Sequence, residues 1–402
     1  MDALITCGSF SRTKPTSICL LSVIEVMEER GHSCRILSID GLCYDTYGFR
    51  PAKNSDELKH KQAISRYRRI VDYLNLYLHG GGLKNELVDL LYEKTEIEIE
   101  RRKPDVIVSS YGSIYALEVG SRIKKKYQDS IIYVPYFLDG LLSGPSLRFE
   151  TQKQHDNRAI EKENRLLRNA DSIVLMKSAE DTYKKYELRL NFTDKICYLD
   201  IPLYKPRSSA QNKERLHFPP NQTVIYYAGS MPRRIRDPRF FMEVFTQLSS
   251  PNTHLYIAGT SAYMKDLRAF ARRDNRIHLL GLVPHDEAIS MQVEADYLLN
   301  IGNSFQGMMP SKIFEYMSTG KPIVSTYKIK DDSVVTYLEY YGNSLLIDEK
   351  ADAKQQAERL GAFIDRTGNE TIVSTHCEAE KLYNNKPEAF VEHLEKLVNK
   401  KF

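Results

Sequence analysis

Short apolar runs alternate with helix-length stretches along most of the chain's 402 residues. In the first half the runs are ALITC, PDVIVSS, SIIYVPY and DSIVLM, with helical patterns at residues 15–30 and 114–127. In the second half the runs are TVIYYAGS, THLYIAGT, RIHLLGLV, DYLLNIGN, KPIVSTY and NSLLID, and helices are predicted to begin near residues 238, 262, 284, 310, 333 and 351. This alternation is typical of βαβ units, so it predicts an α/β fold with parallel sheets.

A polar segment separates the two series of strands. Residues 200–222 are rich in Pro, Ser, Asn and charged side chains, which is typical of a linker. We therefore predict two doubly wound α/β domains that face each other across a cleft, at residues 1–200 and 201–370. Residues 371–402 have an amphipathic helical pattern and are predicted to pack back toward the N-terminal domain.

Residues 55–79 form a separate amphipathic helical pattern. Its apolar stripe consists of Ile64, Tyr67, Val71, Leu74 and Leu78. Its basic residues, mostly on the other faces, are Lys59, Lys61, Arg66, Arg68 and Arg69. Two interpretations stay open: a surface helix whose stripe packs on the domain, or a helix that binds an anionic membrane surface.

The composition narrows the functional class. A hydrophobic content of 42% and a charged content of 27% are ordinary for a folded globular protein. The net charge of +4 is too small to indicate a nucleic-acid partner, although it permits anionic small molecules. The six cysteines are scattered, without a Cys-x-x-Cys pair or histidines at metal spacing, so we expect reduced thiols and no metal site.

Targeting signals are not evident in the sequence. The first residues lack a basic region followed by a long apolar run, and no segment has eighteen consecutive apolar residues. We expect neither a signal peptide nor a membrane-spanning helix. The expected location is the cytoplasm, or the inner face of the plasma membrane if residues 55–79 bind lipid.

Candidate chemistry lies in the loops that follow the strands, because ligands of open parallel sheets bind beyond the carboxyl ends of the strands. Two of these loops carry cations just before a helix: AGSMPRRIRDP contains Arg233, Arg234 and Arg236, and GNSFQGMMPSK ends at Lys312. Helix N-termini also attract anions. A diphosphate between the two loops would meet both sets of cations.

Glu315 lies in the same predicted helix as Lys312. Because Pro310 can occupy only the first turn, the helix is predicted to start there, which puts Glu315 roughly 6 to 8 Å along it. At that distance a carboxylate can accept two ribose hydroxyls while Lys312 reaches the phosphate. The alternative is a surface ion pair between Lys312 and Glu315, three residues apart on the helix.

Several motifs together resemble the glycosyltransferases of GT-B fold, in particular the family-4-like, group 1 type. They are YYAGSMPRRIRDPRFFMEVF, LLGLVPHDEAISMQVEADYLLNI, PSKIFEYMSTGKPIV and GNSLLID in the second half. The first half resembles the family more loosely, through GSFSRTKPTS, IIYVPYFLDG and LLRNADSIVLMKS. The resemblance implies two Rossmann-like domains, the second binding a nucleotide-sugar, the first binding the acceptor, and transfer in the cleft.

The resemblance also implies roles for individual residues. Glu315 matches the glutamate that holds the ribose, Arg236 lies near the family's diphosphate lysine, and Asp139 matches a loop that faces the reacting sugar. Donor binding is implied for Gly229, Ser230, Arg233, Arg234, Arg236, Leu282, Val283, Ser311, Lys312 and Glu315. Catalytic roles are implied for Arg236, Lys312 and Asp139, and the acceptor side for Gly8, Ser9 and Asp139.

Two positions depart from the family pattern. Retaining members have a second glutamate earlier in the helix motif, separated from the first by seven residues, where this chain has Gly307, and an arginine after the first-strand glycine, where it has Ser230. The stereochemistry of transfer therefore stays open. If the transfer retains configuration, the leaving phosphate can take the acceptor proton. If it inverts configuration, a base such as Asp139 is needed to take it.

The expected activity is transfer of a hexose from a nucleotide-sugar, UDP-linked in the first instance, to a glycan, lipid-linked or protein acceptor of bacterial surface polysaccharide synthesis. No cofactor is expected beyond the donor substrate, and no metal, since the chain contains no Asp-x-Asp. Motifs of dinucleotide dehydrogenases, P-loop enzymes and Gly-x-Ser-x-Gly hydrolases are missing. Two alternatives stay open: a nucleotide-sugar epimerase of the same fold, and a non-catalytic transferase-like partner subunit. The oligomeric state is also open.

Overall fold

A computed structural model describes residues 1–8, 10, 15–46, 48–49, 85–110, 114–138, 140–142, 150–205, 215–304, 310–329, 332–369 and 380–401. The chain divides into two compact units. Unit 1 comprises Met1–Pro202 together with Lys386–Phe402, and unit 2 comprises Leu203–Asn385.

Unit 1 is built on a sheet of eight described strands. They are β1 (Asp2–Cys7), β2 (Ser33–Ser38), β3 (Gly41–Asp45), β4 (Gly48–Phe49), β5 (Val106–Ser110), β6 (Ile132–Phe137), β7 (Ile173–Met176) and β8 (Ile196–Leu199). The α-helices are α1 (Pro15–Glu29), α2 (Asn85–Arg101), α3 (Ile114–Tyr127), α4 (Gln152–Leu167), α5 (Glu180–Lys185) and, from the end of the chain, α12 (Pro387–Lys401).

The strand order in unit 1 is β4-β3-β2-β1-β5-β6-β7-β8. The pairs β2–β1, β1–β5, β5–β6, β6–β7 and β7–β8 are parallel. Strand β3 pairs antiparallel with both β2 and β4. All six residues of β6 are buried, as expected for a parallel strand covered on both faces. The first-half runs predicted as strands are confirmed as β1, β5, β6 and β7.

The sequence patterns missed β2, β3, β4, β8 and the helices α2, α4 and α5. In β2 the apolar run is interrupted by Arg35, which is nevertheless 2% exposed. Its guanidinium lies 3.3 Å from both Asp2 and Glu98, and it also donates to the Glu98 and Arg102 carbonyls. A buried charge is tolerated there because it is paired and hydrogen-bonded.

Unit 2 has a six-stranded sheet of entirely parallel strands in the order β11-β10-β9-β12-β13-β14. The strands are β9 (Thr223–Ala228), β10 (Thr253–Ala258), β11 (Ile277–Gly281), β12 (Tyr297–Asn300), β13 (Ile323–Tyr327) and β14 (Ser344–Asp348). The α-helices are α6 (Arg239–Thr246), α7 (Met264–Arg273), α8 (His285–Glu294), α9 (Lys312–Ser318), α10 (Ser333–Tyr341) and α11 (Ala353–Asn369).

All six strands predicted in the second half are present, and the predicted helices begin within two residues of the expected positions. For α9, which carries the candidate site, the helix begins at Lys312 instead of Pro310. The Pro310 carbonyl instead accepts the Ile313 N–H, a tight turn that precedes the α-helix.

Helix α12 packs against α1 within unit 1. Arg30 pairs with Glu392 and Glu395, and the Phe390 ring packs edge-on against Tyr136 at 4.9 Å between centroids. The predicted helix at residues 55–79, linker residues 206–214 and residues 371–379 lie outside the described residues. No helix in the described part of the chain is long and apolar enough to cross a membrane.

Candidate functional site

Helix α9 is anchored over the carboxyl end of β9. The Tyr316 hydroxyl, on a side chain only 2% exposed, accepts the Ala228 N–H at 3.2 Å and lies 3.4 Å from the Ala228 carbonyl. Ile313, Phe314 and Met317 are also buried, which leaves Lys312 and Glu315 half-buried on the remaining face. Lys312 and Glu315 therefore lie beside the loop that leaves β9.

The loop after β9 is held by contacts to its own backbone. The Ser230 carbonyl accepts the Tyr227 hydroxyl at 3.1 Å and the Arg236 Nη1 at 3.4 Å. The Pro232 carbonyl accepts the N–H groups of Ile235 and Arg236, both at 3.2 Å. These bonds fix Arg236 close to the end of the strand.

Arg236 also links this loop to the loop after β12, the next strand of the sheet. Its Nε donates to Asn303 Oδ1 at 3.1 Å, and the Ile235 carbonyl accepts the Ser304 N–H at 2.8 Å. Asn303 is 1% exposed. The two cation-bearing loops singled out in the sequence therefore meet. Asn303 was not singled out from the sequence, although its place in the loop that follows a strand is a usable signal.

Glycines allow the backbones at this end of the sheet to approach closely. Gly259 has a φ of +120°, and a Cβ on it would lie 1.9 Å from the Gly229 carbonyl oxygen. Its N–H donates to the Gly281 carbonyl at 2.6 Å. On the other side, a Cβ on Gly302 would lie 2.5 Å from the Thr326 carbonyl oxygen. Larger residues would displace the strand-end loops.

The charges of Arg236, Lys312 and Glu315 act on one another. The pKa of Lys312 is lowered, first because burial disfavours the ammonium and further because the Arg236 charge repels it, while Glu315 opposes the decrease. Arg236 also lowers the pKa of Tyr227, although burial raises it overall. The structure thus brings together the three residues on which the predicted diphosphate and ribose site depends.

Arg233 and Arg234 lie on the exposed side of the same loop. Arg234 has a φ of +65°, and its N–H donates to the Tyr263 hydroxyl at 3.3 Å. Within the described residues, neither guanidinium has a carboxylate partner. Both remain available to an anionic ligand.

A carboxylate that the sequence patterns did not indicate lies close enough to Arg236 for the two charges to interact. Asp332 is 4% exposed and accepts the Val334 N–H at 3.0 Å, capping α10. Burial raises its pKa and Arg236 lowers it. Burial also raises the pKa of Glu349, with Asp237 and Asp332 adding like charge. The sequence Asp-Ser-Val-Val at residues 332–335, with an aspartate just before a helix, is a recognisable N-cap pattern.

The remaining predicted residues of unit 2 surround this group. Gly281, with a φ of +72°, ends β11, and the two residues after it are Leu282, which is 81% exposed, and Val283, which is half-buried. Ser311 is half-buried and precedes α9 without a capping hydrogen bond from its side chain.

In unit 1, Gly8 is buried directly after β1. Ser9 and Asp139, predicted for the acceptor side, and Gly307, the departure from the family pattern, lie outside the described residues. No group of three or more His, Cys, Asp or Glu that could hold a metal occurs among the described residues.

The fold has many solved relatives. Anabaena HepE in complex with UDP-glucose is 14% identical, with a TM-score of 0.59 over 100% of both chains. Sucrose-phosphate synthase from Thermosynechococcus elongatus is 12% identical, with a TM-score of 0.65 over 100% of this chain and 98% of that one. WaaG, a glycosyltransferase involved in lipopolysaccharide biosynthesis, is 13% identical, with a TM-score of 0.54 over 99% and 98%. The chain has the GT-B fold of two Rossmann-like parallel-sheet units.

The family comparison agrees with the fold. Residues 222–366, most of unit 2, match the family described as glycosyl transferases group 1. The predicted resemblance to GT-B glycosyltransferases of the group 1 type is thereby confirmed. Comparison with curated protein sequences found no match.

Proposed function

We propose that unit 2 binds a nucleotide-sugar and that the protein transfers the sugar to an acceptor bound by unit 1. The observation that carries this proposal is the grouping of Arg236, Lys312 and Glu315 at the carboxyl ends of β9 and β12. A nucleoside diphosphate needs cations for the diphosphate and, one sugar ring away, an acceptor of ribose hydrogen bonds. This group supplies both.

The electrostatics favour an anionic ligand. Arg236 and Lys312 repel each other in the free protein, and burial further disfavours the charge on Lys312. A diphosphate between them removes the repulsion and forms charge-assisted hydrogen bonds with both. Glu315 lies about 4.5 Å further along the helix axis by helical rise, a suitable distance for the adjoining ribose.

In the proposed reaction, Arg236 and Lys312 stabilise the negative charge that develops on the leaving nucleoside diphosphate. Gly229, Ser230, Arg233, Arg234, Leu282, Val283 and Ser311 complete the donor site. Gly8, Ser9 and Asp139 serve the acceptor side, and Asp139 acts as the base if configuration inverts. The reaction as proposed needs no metal or cofactor.

For the donor we propose a UDP-hexose, since HepE was solved with UDP-glucose and shares the fold. For the acceptor we propose a glycan or a lipid-linked oligosaccharide of a bacterial surface polysaccharide. The structural likeness to WaaG, which takes part in lipopolysaccharide biosynthesis, supports this choice. The proposed location is the cytoplasm, with peripheral membrane contact through residues 55–79.

Calorimetry with UDP tests the donor site directly. Arg236→Ala and Glu315→Ala are each expected to weaken UDP binding roughly tenfold or more, the loss expected for a hydrogen bond to a charged group. Arg239→Ala and Glu339→Ala are matched controls, because Arg239 is exposed in an ion pair with Asp237 and Glu339 is exposed on α10. Unchanged UDP affinity in both test variants would remove the assignment.

A non-catalytic partner subunit is the second candidate, because Gly307 and Ser230 replace charged residues of the family pattern. Donor binding separates the two functions. A partner with an inactive site gives no heat with UDP or a panel of UDP-, GDP- and dTDP-sugars, whereas the transferase binds at least one of them.

A further inference from the structure

Two histidines of unit 2 that the proposed reaction does not use lie side by side on neighbouring strands. His254 is near the start of β10, and His278 is near the start of β11. The strands are parallel and their register pairs Tyr256 with His278, so all three side chains lie on one face of the sheet. Both histidines are half-buried.

The two imidazoles are joined by a hydrogen bond. His254 Nδ1 and His278 Nε2 are 2.9 Å apart, with 5.2 Å between the ring centroids and 19° between the ring planes. One nitrogen donates and the other accepts, because a neutral imidazole has one donor and one acceptor. When both rings are protonated, no acceptor remains and two positive charges face each other across this distance. Uptake of the second proton therefore turns an attractive contact into a repulsive one.

Aromatic packing limits how the pair can relieve this repulsion. The Tyr256 ring stacks on His278, with 4.3 Å between the centroids. Phe218 packs edge-on against Tyr256 at 4.8 Å, and the Tyr256 hydroxyl donates to Gln222 Oε1 at 2.7 Å. Tyr256 and Phe218 are both buried. His278 cannot turn away without displacing a packed ring, so the repulsion acts on the strand that carries it.

Strand β11 also carries part of the proposed donor site. It lies at one end of the described sheet of unit 2, where β10 is the strand that pairs with it. At its carboxyl end the Gly281 carbonyl accepts the Gly259 N–H at 2.6 Å, and the donor-site residues 282–283 follow. His278 is three residues before Gly281, roughly 10 Å along the strand. A displacement of β11 at the histidines is therefore passed on to the donor site.

We propose that His254 and His278 form a pH-sensitive contact, which on uptake of two protons displaces β11 from β10 and weakens donor binding at residues 281–283. The displacement of β11 rests on the contacts of the pair alone. The effect on the donor rests on the proposed function.

The surroundings of the pair oppose protonation. Burial lowers the pKa of His254, and Arg276, directly before β11, lowers it further, whereas Asp274, directly after α7, raises it. Burial also lowers the pKa of His278, and the charge of His254 adds to the decrease. Tyr256 of β10 is the titratable group that stacks on His278. Among the described residues these are the groups that act on the pair, and they keep it neutral until pH falls below the ordinary histidine pKa of 6.5.

Hydrogen exchange of backbone amides, read by mass spectrometry on peptides that cover β11, tests the displacement. After correction for the intrinsic rate, the wild type is expected to exchange about tenfold faster at about pH 5.5 than at about pH 7.5, the effect of one unit of difference in pKa between the paired and the displaced strand. Peptides from β12, which pairs with a strand on each side, should not change. His278→Gln keeps a hydrogen-bonding group without a second charge and is expected to lose the acceleration.

His217→Gln is the matched control for this substitution. His217 is a histidine of the same unit, and its Nδ1 lies 2.7 Å from Glu294 Oε1, so its partner is a carboxylate and not a second imidazole. This variant should keep the wild-type acceleration in β11. If the wild type shows no acceleration in β11, or if His278→Gln keeps it, the proposal is wrong.

NMR titration of the imidazole resonances tests the coupling between the two rings. His254→Gln removes the charge that repels a proton on His278, so the pKa of His278 is expected to rise. His217→Gln should leave the pKa of His278 unchanged. An unchanged pKa of His278 in His254→Gln would contradict the coupling.

Calorimetry with UDP-glucose tests the link to the donor. UDP-glucose is the probe because both of its phosphates are diesters, whereas the terminal phosphate of UDP takes up a proton near pH 6, as phosphate monoesters do. The wild-type dissociation constant is expected to rise roughly tenfold from about pH 7.5 to about pH 5.5, again one unit of difference in pKa. His278→Gln should lose most of this rise, and His217→Gln should keep it.

An equal rise in His278→Gln would contradict the effect on the donor. If UDP-glucose binds to the wild type at neither pH, the proposed donor is wrong, whereas the exchange and NMR experiments still decide whether the histidine pair displaces β11.

Discussion

Arg236 Nε donates to Asn303 Oδ1 at 3.1 Å, and this bond joins the loops that follow β9 and β12. Asn303→Ala is expected to free the guanidinium and to raise the dissociation constant for UDP about tenfold, since a hydrogen bond to a charged group is worth about 1.5 kcal/mol or more. Calorimetric titration with UDP measures the change.

Asn300→Ala provides the matched control for this substitution. Asn300 is also buried, but its Nδ2 donates to Ser325 Oγ at 2.9 Å within the sheet. Both variants should lose stability, and only Asn303→Ala should lose UDP affinity. Equal loss of affinity in the two would show that general destabilisation, and not the orientation of Arg236, is responsible.

Gly259→Ala is expected to disrupt the donor site by displacing the backbone that follows β9. Its Cβ would lie 1.9 Å from the Gly229 carbonyl oxygen at a φ of +120°, so the β9 loop must move. We expect a loss of about 2 to 4 kcal/mol in the free energy of unfolding together with weaker UDP binding. Gly281→Ala, where the added Cβ meets nothing within 4 Å, should cost only about 1 to 2 kcal/mol for its left-handed backbone. Denaturant unfolding of both variants is the measurement, and equal losses would contradict the steric explanation.

Donor affinity should fall at alkaline pH through Lys312. The pKa of Lys312 is lowered mainly by burial, and a bound diphosphate favours its charged form, so binding takes up a proton where the free lysine is neutral. UDP affinity therefore decreases as pH rises through the lowered pKa. Calorimetry in buffers of different ionisation enthalpy detects the proton, and Lys312→Gln should remove both the proton uptake and the alkaline decrease.

The stability of the free protein should change in the opposite direction over this alkaline range. The unfolded state retains the Lys312 proton to higher pH than the folded state, so the free energy of unfolding rises with pH there. A decrease that Lys312→Gln abolishes would contradict the direction assigned to this pKa.

Glu163, a carboxyl group on α4 that is 0% exposed, is expected to lower the stability of the protein as pH rises from mildly acidic to neutral. Its pKa rises from 4.5 to about 7 on folding, so the folded state holds a proton that the unfolded state has released. The free energy of unfolding therefore decreases as pH rises through this range, by about 3 kcal/mol in total. Glu163→Gln should remove that decrease in urea unfolding, whereas Glu161→Gln, at an exposed position of the same helix, should keep it.

Apolar runs predicted the parallel strands of both units because strands covered on both faces need nearly continuous apolar sequence. The same rule missed β2, where Arg35 is buried among Asp2, Glu98 and backbone carbonyls that come together only in the folded chain. It also missed the antiparallel strand β3, whose mostly half-buried residues carry a weaker pattern.

The candidate site also contains residues that the sequence indicates and residues that it does not. Arg236, Lys312 and Glu315 could be found from the sequence because charges after a strand or early in a helix stand out against the apolar background. Asn303 and Gly259 could not be assigned their roles, because each depends on a contact with a residue far along the chain. The donor and acceptor roles themselves stay predictions.

Unit 1 is discontinuous in the chain, since α12 belongs to it although all of unit 2 lies between. During synthesis, unit 2 can therefore acquire its native structure on the ribosome before unit 1 receives its last helix. Until then the Tyr136 ring lacks Phe390 and Arg30 lacks its glutamates. Excising residues 203–385 would yield a contiguous polypeptide, whereas a fragment truncated at residue 202 would lack one of its own helices.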